Sequence, residues 1–194
     1  MSQSLTSDGL PGFAPSPAPP ELRRRIGWIC HALRIAALVW IGWIVLMILV
    51  VWSDKTAVLS AYQRWLLVDL AGVSNASYAA ALAVLFVNCA AAAAVAWCIW
   101  RLFGTYLQGR VFTVDAALWL RRTGLAGVAA VVVNLLARIV IVAIFTGQLI
   151  LLPPQGSIVL PQDLLHLIFS LFLLALAHIF KAAAEMAADH AQIV

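Results

Sequence analysis

Four long stretches of this 194-residue chain consist almost wholly of apolar side chains, and that feature constrains the fold more than any other. The first runs from Ile35 to Trp52 and is entered a turn or two earlier, since Ile26, Trp28 and Ile29 already favour a membrane interface. The second covers about Tyr78 to Trp100, with ten alanines in 23 residues, a composition suited to close helix packing. The third covers about Leu125 to Leu152 and stops at Pro153 and Pro154; the fourth starts near Pro161 and reaches Phe180. At about 1.5 Å per residue, each crosses a hydrocarbon core about 30 Å thick. The third is longer than needed, so tilt or a protruding end is expected. With 64% apolar and 10% charged residues and a mean hydropathy of +1.02, the chain lies outside the water-soluble class, where about 25% charge is usual.

The expected fold is all-α, an integral membrane four-helix bundle with spans at about 30–52, 78–101, 124–152 and 161–181. An outer loop at 53–77 and a cytoplasmic loop at 102–123 connect them. Residues 1–21 hold five of the eight prolines among Ser, Gly and Ala, and read as a disordered cytoplasmic tail preceding the membrane domain at 22–194. The first span follows Arg23, Arg24 and Arg25 without a convincing cleavage pattern, so it is expected to stay in the protein. A faint repeat, Arg24-Arg25-Ile26-Gly27 against Arg121-Arg122-Thr123-Gly124, admits a description as two tandem helical hairpins.

Twelve Lys and Arg stand against eight Asp and Glu. Arg23, Arg24, Arg25, Arg34, Arg101, Arg110, Arg121, Arg122 and Lys181 fall on one side of the spans; Lys55 and Arg64 fall on the other. The positive-inside rule therefore places both termini and the middle loop in the cytoplasm. Basic residues scattered at span ends, rather than gathered on a polar domain, argue against direct nucleic-acid binding. In the outer loop, Leu59, Tyr62, Trp65 and Leu66 recur at helical spacing and predict a short amphipathic helix capping the bundle. In the middle loop, Thr113 is an N-cap candidate and Asp115 complements the dipole of a helix running through Trp119, Arg121 and Arg122, loosened at Gly124 and Gly127.

Arg138 is the one basic residue that topology does not explain. It lies fifteen positions before Pro153, about 22 Å below the outer end of its span and so near mid-membrane. A charge there costs at least about 2.5–3.5 kcal/mol and should face protein, water or a headgroup. No carboxylate is counted inside the spans, so the expected neighbours are Asn134, one turn away, and Asn88 at comparable depth. Such an Arg–Asn cluster would be structural, or a site for an anion, lipid or partner. His31 and His178, on the first and fourth spans near the cytoplasmic face, form the one geometrically feasible haem pair. No second pair relays electrons across the membrane, and no cofactor is expected. The chain has no phosphate-binding glycine loop, no hydrolase or zincin motif and no metal-ligand spacing for Cys30, Cys89 and Cys98, so no enzyme activity is expected either.

The run Gly109-Arg110-Val111-Phe112-Thr113, followed by Ala117, Leu120-Arg121-Arg122 and Gly124, resembles the cytoplasmic loop of the bacterial family called domain of unknown function 2975. The ending His178-Ile179-Phe180-Lys181-Ala182-Ala183, followed by Met186, Ala187-Ala188-Asp189 and Ile193-Val194, is similar to that family's C-terminal signature. It departs at Asp189-His190, where members more often carry acidic residues. The resemblance extends from about Leu22 to the end and implies a four-span inner-membrane protein, whose relatives look like partners of small helix-turn-helix regulators. A cytoplasmic surface for a protein partner would then include Arg110, Phe112, Thr113, Asp115, Arg121, Arg122, Lys181, Glu185 and Asp189. The competing expectations are an accessory subunit of a larger membrane complex and, third, a small transporter or haem-binding redox protein.

Overall fold

The chain's apolar runs can satisfy their backbone polar groups in a bilayer only as helices or a closed barrel, and the computed structural model shows helices. It describes residues 20–108, 113–150, 154 and 157–192, with side chains described at 27–108, 113–150, 154, 157–183, 185 and 186. The proline-rich tail lies outside the described residues except at Pro20 and Glu21, which begin the first helix. The elements are α1 (Pro20–Val51), α2 (Lys55–Leu66), α3 (Asn75–Leu107), α4 (Val114–Thr146) and α5 (Pro161–Gln192). Four contain segments long and apolar enough to cross a membrane: Gly27–Val51, Asn75–Leu107, Val114–Thr146 and Pro161–Ala183.

Each boundary has a local cause. Asp54 caps α2 by accepting from the Thr56 and Ala57 N–H groups at 2.9 and 3.1 Å, and Ser74 caps α3 by accepting from Ser77 at 3.0 Å. Thr113 caps α4, accepting from Ala116 N–H at 3.3 Å, with Asp115 in the first turn. The expected third span at 124–152 is corrected at its outer end. Gly147 takes up φ +67°, which a glycine adopts without steric cost, and its N–H closes on Ala143 O at 2.9 Å. The apolar sequence continues past that point, but the helix stops at Thr146.

The long helices pack as a row of neighbours: α1 on α3, α3 on α4, α4 on α5. Inner position gives α4 the largest share of buried side chains, whereas Cys30 is the one buried side chain described in α1. Gly124 and Gly127 do not loosen α4 as expected. They let α5 approach closely: a Cβ on Gly127 would collide with Ser170 Oγ, and one on Gly124 would stand 2.7 Å from Leu174 Cγ. At one end of the row, α2 lies over Leu70, Ala81, Ile141 and Phe145, with Leu59 and Tyr62 packed against them, so the expected cap forms. Tyr78 donates to Trp52 O at 2.7 Å and fastens α3 to the end of α1. At the opposite, arginine-rich end, Leu102, Leu120 and Ala177 gather with Tyr106, Trp119 and Phe180. Trp43, Phe86, Leu165 and Phe172 point outward, which lipid tails accommodate and water would not.

Candidate functional site: a polar network between α3, α4 and α5

The carboxylate missing from the expected Arg–Asn cluster is Asp163. It is the third residue of α5, preceded by Pro161 at the first helical position, and it accepts from Leu160 N–H at 2.9 Å as an acid in the first turn of a helix should. The same carboxylate takes two bonds from Arg138: Nη1 to Oδ2 at 2.6 Å and Nη2 to Oδ1 at 3.1 Å. Nη1 also donates to Ile158 O at 2.9 Å. Asp163 is 2% exposed and the Arg138 side chain 23%, so the pair is largely withdrawn from solvent. The fork-to-carboxylate geometry is the strongest kind of side-chain hydrogen bonding available to arginine.

The expectation that Arg138 has no acidic partner is therefore corrected, and so is its depth. Because α4 ends at Thr146, Arg138 lies about 12 Å from the helix end rather than about 22 Å. Residues 157–160 then bring the start of α5 down beside it.

Asn134 and Asn88 do join Arg138, through Asp163. Asn134 Nδ2 donates to Asp163 Oδ1 at 3.1 Å, and Asn88 Nδ2 donates to Asn134 Oδ1 at 3.3 Å. One chain of hydrogen bonds thus crosses α3, α4 and α5. On its α2 side, Tyr62, Trp65, Ser157, Ile158 and Leu160 form with Arg138 a cleft of about 340 Å³. Burial pushes the Tyr62 phenol above its ordinary pKa, an effect the nearby Arg138 charge opposes. Toward the interior lies a cavity of about 300 Å³ bordered by Trp40 of α1, Asn88 of α3, Asn134 of α4 and His166 and Ser170 of α5. Chemically the network is neutral in sum and each charge is answered, an arrangement suited to holding the three helices together.

The residues expected at a partner surface fall on the arginine-rich end. Arg121, Arg122 and Asp115 are exposed on α4, and Arg122 lies 4.7 Å from the centre of the Trp119 ring. Lys181 and Glu185 pair along α5 at 3.6 Å. Arg110 and Phe112 lie outside the described residues, as does the side chain of Asp189. His31 and His178 are exposed on α1 and α5, at opposite ends of the row of packed helices. Among the described residues no three His, Cys, Asp or Glu gather as metal ligands.

No curated protein and no solved structure matches the chain. A family model does, over residues 53–194, so that α2 to α5 lie inside the match and α1, which the resemblance had included from Leu22, lies outside it. The network and the arginine-bearing start of α4 both fall within the matched region, and the chain belongs to the family described as protein of unknown function (DUF2975).

Proposed function

We propose that this membrane protein carries out no chemistry of its own and binds a soluble protein through its arginine-rich end, which faces the cytoplasm of a bacterial inner membrane. The observation that carries the reading is the overhang of α5. The helix runs on from Lys181, the first charge after its apolar run, to Gln192, about 16 Å further. A membrane anchor has no need of that extension. Next to it in the reading stands the start of α4, where Val114 and Leu118 are exposed apolar residues beside exposed Arg121 and Arg122. Apolar anchors flanked by arginines are what protein interfaces favour. The partner class we favour is a small helix-turn-helix transcription regulator, held at the membrane or released from it.

The second reading, an accessory subunit of a larger membrane complex, draws on α1, whose Trp28, Trp43 and Leu49 side chains are exposed along its length. Truncation after Lys181 separates the two. With photo-crosslinking groups placed at Leu118 and Met186, the first reading expects one soluble protein captured, and its loss on truncation and in Arg121→Glu. Unchanged capture after truncation, with association through α1, would replace it with the second.

A further inference from the structure

Arg34 is the last charge on α1 before its apolar run, about 14 Å along the helix from Arg25. From Arg34 to Val51 the helix carries no other charge over about 26 Å, most of a hydrocarbon core about 30 Å thick. Its guanidinium thus stands at headgroup level on the arginine-rich end, where a buried charge needs an answer. The protein answers it only in part. Cζ sits 3.7 Å from the centre of the Trp100 ring, a close cation–π contact. Its Nε is buried with no hydrogen-bond partner among the described residues, and none of their carboxylates pairs with it. Arg138, by comparison, has Asp163.

Arg101 repeats the pattern on α3. It lies 5.2 Å from the Trp119 ring centre and 6.0 Å from that of Trp97, again without a carboxylate among the described residues. Both arginines line one polar cleft of about 510 Å³, together with Trp100, Thr105, Asp115 and Trp119. Two fixed cations face one carboxylate there. Arginine's planar fork matches phosphate oxygens in pairs, and the indole rings hold the forks in place without consuming their donors.

We propose that Arg34 and Arg101, braced by Trp100 and Trp119, form a binding site for a phosphate oxyanion, presented by the headgroup of an anionic phospholipid. Of the residues assigned to the protein partner only Asp115 borders this cleft, and the site stands whether or not that partner exists.

Native mass spectrometry of the full chain in detergent, titrated with phosphatidylglycerol and in competition with glycerol phosphate, tests this. One phosphatidylglycerol should be retained per chain, and Arg34→Gln and Arg101→Gln should each lower retention about tenfold, the scale of a lost charged hydrogen bond. Arg64→Gln, which removes the same charge at the opposite end, should leave retention unchanged. Displacement by glycerol phosphate at equal concentration would keep the phosphate site and assign it to a soluble ligand. Retention unchanged in both arginine variants, or lowered equally by Arg64→Gln, overturns the proposal. Should Arg34→Gln fail to fold, Arg101→Gln, at an exposed position, decides alone.

Discussion

Asp163 answers two demands with one carboxylate: it satisfies an orphan N–H at the start of α5, and it neutralises the one arginine in the outer part of α4. Removing it therefore leaves Arg138 buried without a counter-charge, which costs about 3–5 kcal/mol, whereas replacing both charges by apolar groups costs far less. In a double-mutant cycle read by denaturation in detergent micelles, Asp163→Ala should destabilise strongly. Asp163→Leu combined with Arg138→Leu should recover most of the loss. Additive losses would show that the pair is not a unit. Arg138 stood out in the sequence because a charge inside an apolar run is rare, and its asparagine neighbours follow from helical spacing. Asp163 did not stand out. Counted from Pro153, Arg138 lies about 22 Å below the outer end of its span; only the early stop at Gly147 brings it beside the head of α5, where Asp163 falls within the span bounds counted as free of carboxylates. The available signal was local: Pro-Gln-Asp at the opening of a helix marks an acid that reaches back to a free N–H.

Helix positions were legible from apolar length and capping residues except at the outer end of α4, and Thr113, Asp54 and the spacing of α2 behave as those residue types dictate. Helix neighbours were not legible, because lipid-facing and protein-facing surfaces are equally apolar and periodicity carries little signal in a membrane span. The two glycines of α4 show the consequence. Read along one helix, they look like weak points; read against Ser170 and Leu174, they are contact points. Gly127→Val should push α5 away and lower stability by about 1–3 kcal/mol, the usual cost of overpacking, with Ser170→Ala in the same chain recovering part of it. Full stability in Gly127→Val, measured by the same denaturation, would remove the close approach. For α2 the lever is pH. The Thr56 hydroxyl foremost, and then the Ala57 and Thr56 N–H groups, hold the Asp54 carboxyl below its ordinary pKa of 3.8. A lowered folded pKa means that the cap supports α2 above the ordinary value and fails as pH falls beneath it. Amide protection at Ala57, corrected for intrinsic exchange, should drop on acidification in the native protein and stay level in Asp54→Asn, which keeps an acceptor that cannot be protonated. A drop of the same size in both would assign the effect to another group.

At the scale of the whole molecule, the ion pair changes how the charges read. With Arg138 neutralised by Asp163, its charge need not be carried as an isolated cation and loses its force as an exception to orientation. The remaining basic residues divide nine to two between the ends, and the described aromatic–arginine contacts, those of Trp97, Trp100 and Trp119, all fall at the richer end. The partner surface depends on that end facing inward, so orientation is the measurement on which the partner reading turns first. Replacing Cys30, Cys89 and Cys98 leaves a chain in which single cysteines report sidedness. Ser60→Cys, on the exposed face of α2, should react with a membrane-impermeant maleimide applied to intact cells whose outer membrane has been made permeable. Arg121→Cys, on the exposed face of α4, should react only once the inner membrane is broken, at a rate at least about tenfold lower before than after. The reverse pattern would turn the arginine-rich end outward. The overhang of α5 would then meet the periplasm, where no transcription regulator resides. The phosphate site would survive that reversal, since anionic headgroups occur in both leaflets and its chemistry rests on Arg34 and Arg101 alone.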